Sequence, residues 1–221
     1  VPAIAFNEFI VGSVTGENGV DDMVAMARKS PLMNAYWEDK IPDFSKITIP
    51  CYCTACWNHF HLRGAFQGFR KIKSKKKWMR AHREFEWPDG YNMEHLAELN
   101  MFFDRYLKDI HNCWESTPRV RIEVQDAHDF LYAKNRPETS FPLKRTVYKK
   151  LYLDAGNNVL FAEPVENESK FSYDGNTGVA NFDYKFEEDT EITGYMKLHM
   201  WVTAEEYNDA DIFVNIQKLD T

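Results

Sequence analysis

ITIPCYCTACWNHFHLRGAFQGFRKIKSKKKWMRAHREFEW, residues 47–87, carries the pattern that decides the fold. It reads as strand, helix, strand. Ile47–Ala55 is a β-rich run opened by Ile-Thr-Ile-Pro. Leu62, Ala65, Phe66 and Phe69 then recur at helical spacing, and Lys77–Ala81 is a second strand. Cys56, His59, His61 and His82 fall around the carboxyl ends of these strands, where open α/β sheets place their active sites.

Upstream, residues 1–19 are apolar and then glycine-rich, a loop leading into a helix that Asp21 and Asp22 are placed to start. Val20, Met23, Val24 and Ala27 would be its buried face, and Pro31 its break. Leu32–Trp37 is a second short helix with Tyr36 and Trp37 turned inward. Downstream, Pro88-Asp89-Gly90 is a turn signal, and Asn92 is placed to cap a helix over Met93–Lys108. Leu96, Leu99, Phe103, Tyr106 and Leu107 give that helix an apolar face.

A polar connector, Asn112–Thr117, ends at Pro118, and the domain boundary falls near Cys113–Pro118. Beyond it Val120, Ile122 and Val124 alternate with charged residues, the period-two pattern of a half-buried strand. Thr146–Leu153, Val159–Ala162, Ala180–Phe186, Thr193–Thr203 and Ile212–Leu219 are further strands, with Asp/Asn/Gly turns between several of them. Short strands in succession with no helix between them predict an antiparallel sandwich. The fold class is therefore α/β followed by all-β. Two parallel strands are too few for a stable sheet alone, and Ile212–Leu219 has no closing partner. The sequence reads as a middle segment, completed by another polypeptide or by residues outside it.

At 221 residues, with 44% hydrophobic and 15% aromatic residues, the chain has the material for a real core. A net charge of −7 argues against a nucleic-acid partner. The basic run Arg70–Lys77 suits the negative end of a helix and the turn after it. No apolar run approaches a membrane span, and the first residues lack the basic start of a signal peptide. Three of the four cysteines crowd into Cys51–Cys56, where pairing would be strained, so a reducing, cytoplasmic setting is expected.

Cys51-x-Cys53-x-x-Cys56-x-x-His59-x-His61 gathers soft ligands, yet its spacing matches no usual zinc knuckle, and no metal or other cofactor is expected. Val11-Gly12-Ser13-Val14-Thr15-Gly16 fails as a nucleophile elbow. His82, with Glu84 and Glu86 nearby, is the general-base candidate, because imidazole titrates near neutrality and a carboxylate can orient it. His95, His111, His128 and His199 have no obvious sequence partners.

Trp57-Asn58-His59-Phe60-His61-Leu62-Arg63-Gly64-Ala65-Phe66-Gln67-Gly68-Phe69 resembles the Trp-Tyr-Asp-x-x-x-Arg-Gly-Thr-x-x-Gly-Phe segment of the X-Pro dipeptidyl-peptidase-like, or CocE/NonD, hydrolases. The likeness continues through Lys77–His82, Glu86–Asp89, Phe102–Lys108, Trp114–Arg121, Leu151–Leu153, Glu191–Met196 and Asp211–Val214. The resemblance implies an α/β-hydrolase core with a helical cap and a following jelly roll. Residues 1–45 would be the end of the cap, 46–112 the last part of the core, and 118–221 the first part of the jelly roll. It also implies a serine nucleophile outside this sequence. The family's triad acid falls on His59, and its histidine matches His82 only with a local shift in register.

The resulting expectation is a segment or subunit of a serine-hydrolase-family protein acting on ester or amide bonds of small molecules. His82 and His59 are its candidate catalytic residues, and His61, Trp57 and Trp87 its candidate substrate contacts. Its partners would be the small-molecule substrate and the polypeptide that completes the fold, not nucleic acid or membrane. Two other readings stay open: a non-hydrolytic, isomerase- or cyclase-like or small-molecule-binding use of the fold, and a catalytically silent interaction subunit.

Overall fold

The computed structural model describes residues 21–127, 130–205 and 210–219. The expected glycine-rich approach, with Val20 and Ser13, lies outside these residues, as does His128. The first elements among the described residues are short helices, α1 (Met23–Lys29) and α2 (Ala35–Asp39). Asp22 and Asn34 cap them by accepting the free N–H groups of the first turn. Their apolar residues are not buried as the sequence suggested: Met23 and Val24 are exposed. Trp37 instead donates its indole N–H to the Ser30 carbonyl at 2.7 Å.

A four-stranded mixed sheet in the order β1-β2-β3-β4 organises the rest. Strands β1 (Cys51–Cys56) and β2 (Lys77–His82) run parallel, with Cys56 opposite His82. The first strand starts four residues later than its sequence suggests. Asp43 caps a 3-10 turn over Phe44–Lys46 that closes on Ile47, and residues 47–50 lie ahead of the ladder. Helix α3 (Leu62–Lys71) makes the crossover that a parallel pair requires. The basic run that follows ends usefully. Lys77 Nζ donates to the Phe69 and Ile72 carbonyls, both at 2.7 Å, covering the negative end of α3.

Helices α4 (Glu86–Tyr91) and α5 (Met93–Leu107) follow β2. The sheet then continues across the 113–118 connector. Strand β3 (Val120–Ala127) lies parallel to β2, and β4 (Phe130–Glu138) returns antiparallel to β3. The sequence reading gave no strand at β4, whose ladder is interrupted by register shifts. A second, two-stranded antiparallel sheet pairs β5 (Tyr152–Asp154) with β6 (Val159–Phe161).

Strand alternation divides the core into two layers. Met79 and Ala81 face α3, where Ala55, Phe66, Phe69, Val120, Ile122, Phe141 and Leu143 join them. Trp78, Arg80 and His82 share the other face. Trp78 packs there against Phe102 of α5 and Trp114. The apolar stripe read for α5 is displaced: Leu99, Phe103 and Leu107 are exposed, and Phe102 is the buried residue.

Beyond β6, the described residues form no regular helix or strand, although Ala180–Phe186, Thr193–Thr203 and Ile212–Leu219 have strand-like sequences. Asp183 exchanges backbone hydrogen bonds with Asn158 and Leu160. Arg136 holds Glu191 in a two-pronged ion pair with both bonds at 2.7 Å, which brings the Glu191 carboxyl down to about 2. Among the described residues no helix is long and apolar enough to cross a membrane.

Candidate functional site

The site forms where β1 and β2 end together. Four contacts brace the two loops that leave them. Trp57 N–H donates to the His82 carbonyl at 2.8 Å, and Asn58 Nδ2 to the Arg83 carbonyl at 3.2 Å. The Cys56 thiol also reaches that carbonyl, at 3.6 Å. Trp57 Nε1 donates to the Glu123 carbonyl of β3 at 2.9 Å, and its ring stacks on Phe66. The Trp57 indole, read from the sequence as a substrate contact, also ties loop, helix and sheet together.

His82 lies 2% exposed at the end of β2. Its Nδ1 is 2.9 Å from the Glu84 carbonyl and 3.3 Å from Asp89 Oδ1. A carbonyl can only accept, so the neutral ring carries its proton on Nδ1 and keeps the Nε2 lone pair. Burial holds its pKa below the ordinary 6.5; Asp89 opposes that effect and Arg80 reinforces it. A buried imidazole that stays neutral is in the protonation state a general base needs.

His59 is arranged the other way round. Its Nδ1 accepts the His61 backbone N–H at 3.2 Å, so the neutral ring carries its proton on Nε2. Glu86 Oε2 lies 3.4 Å from the same Nδ1, a favourable contact only when the ring is protonated. His59 is buried between Phe60, which stacks on it, and Phe85, which meets it edge-on. His61 is exposed at the head of α3 and tilted against His59. Trp87 is 64% exposed beside Phe85. Residues 84–89 therefore link the two buried histidines, with His59 reaching Phe85 and Glu86, and His82 reaching Glu84 and Asp89.

Asp89 is the residue that sequence reasoning missed. Pro88-Asp89-Gly90 was expected to turn, but it winds as the body of α4. Pro88 is the third helical residue, where an N–H has no intrahelical acceptor to lose. That winding buries Asp89 to 3% exposure. Arg80 holds both carboxylate oxygens: Nη1 to Oδ1 at 2.8 Å, with Nη2 bonded to Oδ2. Burial alone would raise the Asp89 pKa; the Arg80 bonds outweigh it, and the carboxyl stays below its usual range. His95, which had no visible partner in the sequence, donates from Nδ1 to the Asp89 carbonyl at 2.8 Å and lies 3.2 Å from Oδ1. The sequence signal for this cluster was slight: an aspartate seven residues after one histidine and six before another.

Arg80 continues the network. Its Nε donates to Tyr52 Oη at 3.2 Å, Arg121 donates to the same oxygen at 3.1 Å, and Tyr52 donates to Glu98 at 2.6 Å. Burial pushes the Tyr52 phenol up to about 12, so it stays protonated. An open cleft of about 510 Å³ borders the cluster, lined by Asn58, Arg83, Asp89, His95, Glu123 and Lys134 among others.

The three cysteines of β1 behave as small packing residues. Cys51 donates to the Ile49 carbonyl at 3.2 Å. Burial raises the thiol pKa of both Cys53, to about 11, and Cys56. Neither is therefore poised as a thiolate.

Residues 112–221 match the X-Pro dipeptidyl-peptidase C-terminal non-catalytic domain. The chain is also similar to crystal structures of a CocE/NonD family hydrolase from Staphylococcus aureus. One aligns at 32% identity and a TM-score of 0.63 over 69% of this chain. A second, at 1.95 Å, aligns at 33% identity and the same TM-score over 68% of it. The chain spans only 28% and 27% of the lengths of those two chains. No curated protein matches. The motifs, the matched domain and the shared fold agree, and the chain belongs to the X-Pro dipeptidyl-peptidase-like family of CocE/NonD hydrolases.

Proposed function

We propose that this chain supplies the histidine side of a hydrolase site acting on ester or amide bonds of small molecules, with a serine nucleophile contributed by polypeptide outside this sequence. The observation that carries the reading is His82. It is buried at the carboxyl end of a parallel strand, neutral, and fixed with its Nε2 lone pair available. In this reading, residues 46–112 are the last part of an α/β-hydrolase core, and 1–45 the end of its cap. The region from 118 onward opens a jelly roll, consistent with the non-catalytic domain matched over 112–221. His82 would take the serine proton as acyl transfer begins and return it to the leaving group.

Fluorophosphonate labelling of the intact protein tests this. A serine is expected to label, and His82→Ala should remove labelling and ester hydrolysis together. Full hydrolysis by His82→Ala would overturn the assignment. The placement of His59 supports one other reading. The position where the family keeps its acid presents an Nε2–H donor among aromatic rings, which suits small-molecule binding without hydrolysis. Absence of labelling, together with a bound small molecule that is lost on His59→Ala, would favour that reading.

A further inference from the structure

We propose that Asp89 is the carboxylate that orients His82, gripped by Arg80 and shared with His95. The orienting acid of this site thus sits on α4 and not on the loop after β1. The inference rests on the hydrolase reading only for its kinetic consequence; the geometry stands without it.

The loop after β1 cannot provide the acid. At its tip His59 accepts a backbone N–H on Nδ1, and its nearby carboxylate, Glu86, faces His59 and not His82. Two further acidic residues approach His82. Glu123 of β3 turns Oε2 onto the Arg83 backbone N–H at 2.7 Å, and Glu84 offers its carbonyl oxygen. Among the described residues, Asp89 is the carboxylate within ion-pair distance of the His82 ring. Cys56 faces His82 across the β1–β2 register as a protonated thiol.

The arrangement has the parts an orienting acid needs. The carboxylate is buried and remains ionised, because Arg80 occupies both its oxygens. It lies on the Nδ1 side of the ring, so an imidazolium formed at Nε2 gains its field without losing the Nδ1 proton. The same oxygen lies 3.2 Å from Nδ1 of His95, whose buried Nε2 has no partner among the described residues. Backbone carbonyls set the same tautomer in both imidazoles, and this one carboxylate lies on the Nδ1 side of each. Arg80 moderates its charge, and it is a positioning residue for both.

The test uses the intact protein, with hydrolysis of p-nitrophenyl acetate followed against pH. Asp89→Asn is expected to lower kcat about 10²-fold or more with little change in KM, and to move the acid limb to lower pH. The sign follows from charge. Removing the carboxylate while Arg80 remains makes the imidazolium harder to form. Asp89→Glu should recover part of the loss. An unchanged kcat and acid limb in a folded Asp89→Asn protein would overturn the proposal.

If Asp89→Asn does not fold, His95→Gln leaves the Arg80 pair intact and removes the second imidazole from Oδ1. The His82 ring pKa, read by NMR titration of ring-labelled histidine, should then rise, and no movement would overturn the proposal. If the intact protein hydrolyses nothing, the hydrolase reading fails by itself. The ring titration then still decides the role of Asp89.

Discussion

His82 makes the molecule sensitive to mild acid. Its folded pKa lies below the ordinary 6.5 because burial disfavours the imidazolium. Between that folded value and 6.5, the unfolded chain binds a proton that the folded chain refuses. Stability therefore rises with pH through this window and is lost as pH falls below about 6.5. Asp89 and Glu98 act in a lower window. Their folded pKa values lie below 3.8 and 4.5, so their contribution is present above those values and lost as pH falls through the folded ones. Urea unfolding midpoints measured from pH 4.5 to 8 should show the first limb, and His82→Gln should flatten it. A midpoint with the same slope in wild type and His82→Gln would assign the acid sensitivity elsewhere.

At the scale of elements, α5 is held to the sheet by one polar joint as well as by Phe102. Glu98 accepts from Arg121 of β3, through Nη1 at 3.0 Å, and from Tyr52 of β1 at 2.6 Å. Tyr52 in turn accepts from Arg80 of β2. Glu98→Ala would take its carboxylate partner from the largely buried Arg121 guanidinium, while Arg80 keeps Asp89, at a cost of about 3 kcal/mol. The exposed Lys108–Asp104 pair on the same helix should contribute about 0.5 kcal/mol or less. Thermal or urea unfolding of Glu98→Ala beside Lys108→Ala checks the contrast, and equal losses would dismiss the joint. The same joint shows what the sequence could and could not say. Strands β1 and β2, helix α3 and the Asn92 cap were legible because period-two and helical patterns and capping chemistry are local. Glu98, Asp89 and His95 were not, because their partners lie on other elements, and α4 winds through a Pro-Asp-Gly run that locally favours a turn. The apolar stripe of α5 was misassigned for a related reason. Which face a helix buries depends on its partner, and Phe102 meets Trp78 and Trp114 while Phe103 does not.

Across the whole molecule, apolar surface is distributed unevenly. The sheet and its helices bury Trp78, Met79, Trp114, Val120 and Ile122 completely. The chain beyond β6 leaves Trp201 92% and Phe213 93% exposed, with Met196, Val202, Val214 and Leu219 also well outside. Large apolar side chains in such number, on segments whose sequences alternate like strands, are typical of surfaces that another layer covers. Under the function proposed above, polypeptide outside this sequence would be that layer. On this reading the strand-like runs at Thr193–Thr203 and Ile212–Leu219 become strands only when neighbours complete their backbone hydrogen bonds. Hydroxyl-radical footprinting of the native protein from its own source provides the check. Trp201 and Phe213 should be protected there, and about as reactive as free side chains in the 221-residue chain expressed alone. Intact mass of the same native sample should exceed 26.0 kDa or reveal a second chain. Both aromatics reacting freely in a native sample at 26.0 kDa would instead mean that the exposed face belongs to the working molecule. His82 would then have to act without a serine from elsewhere.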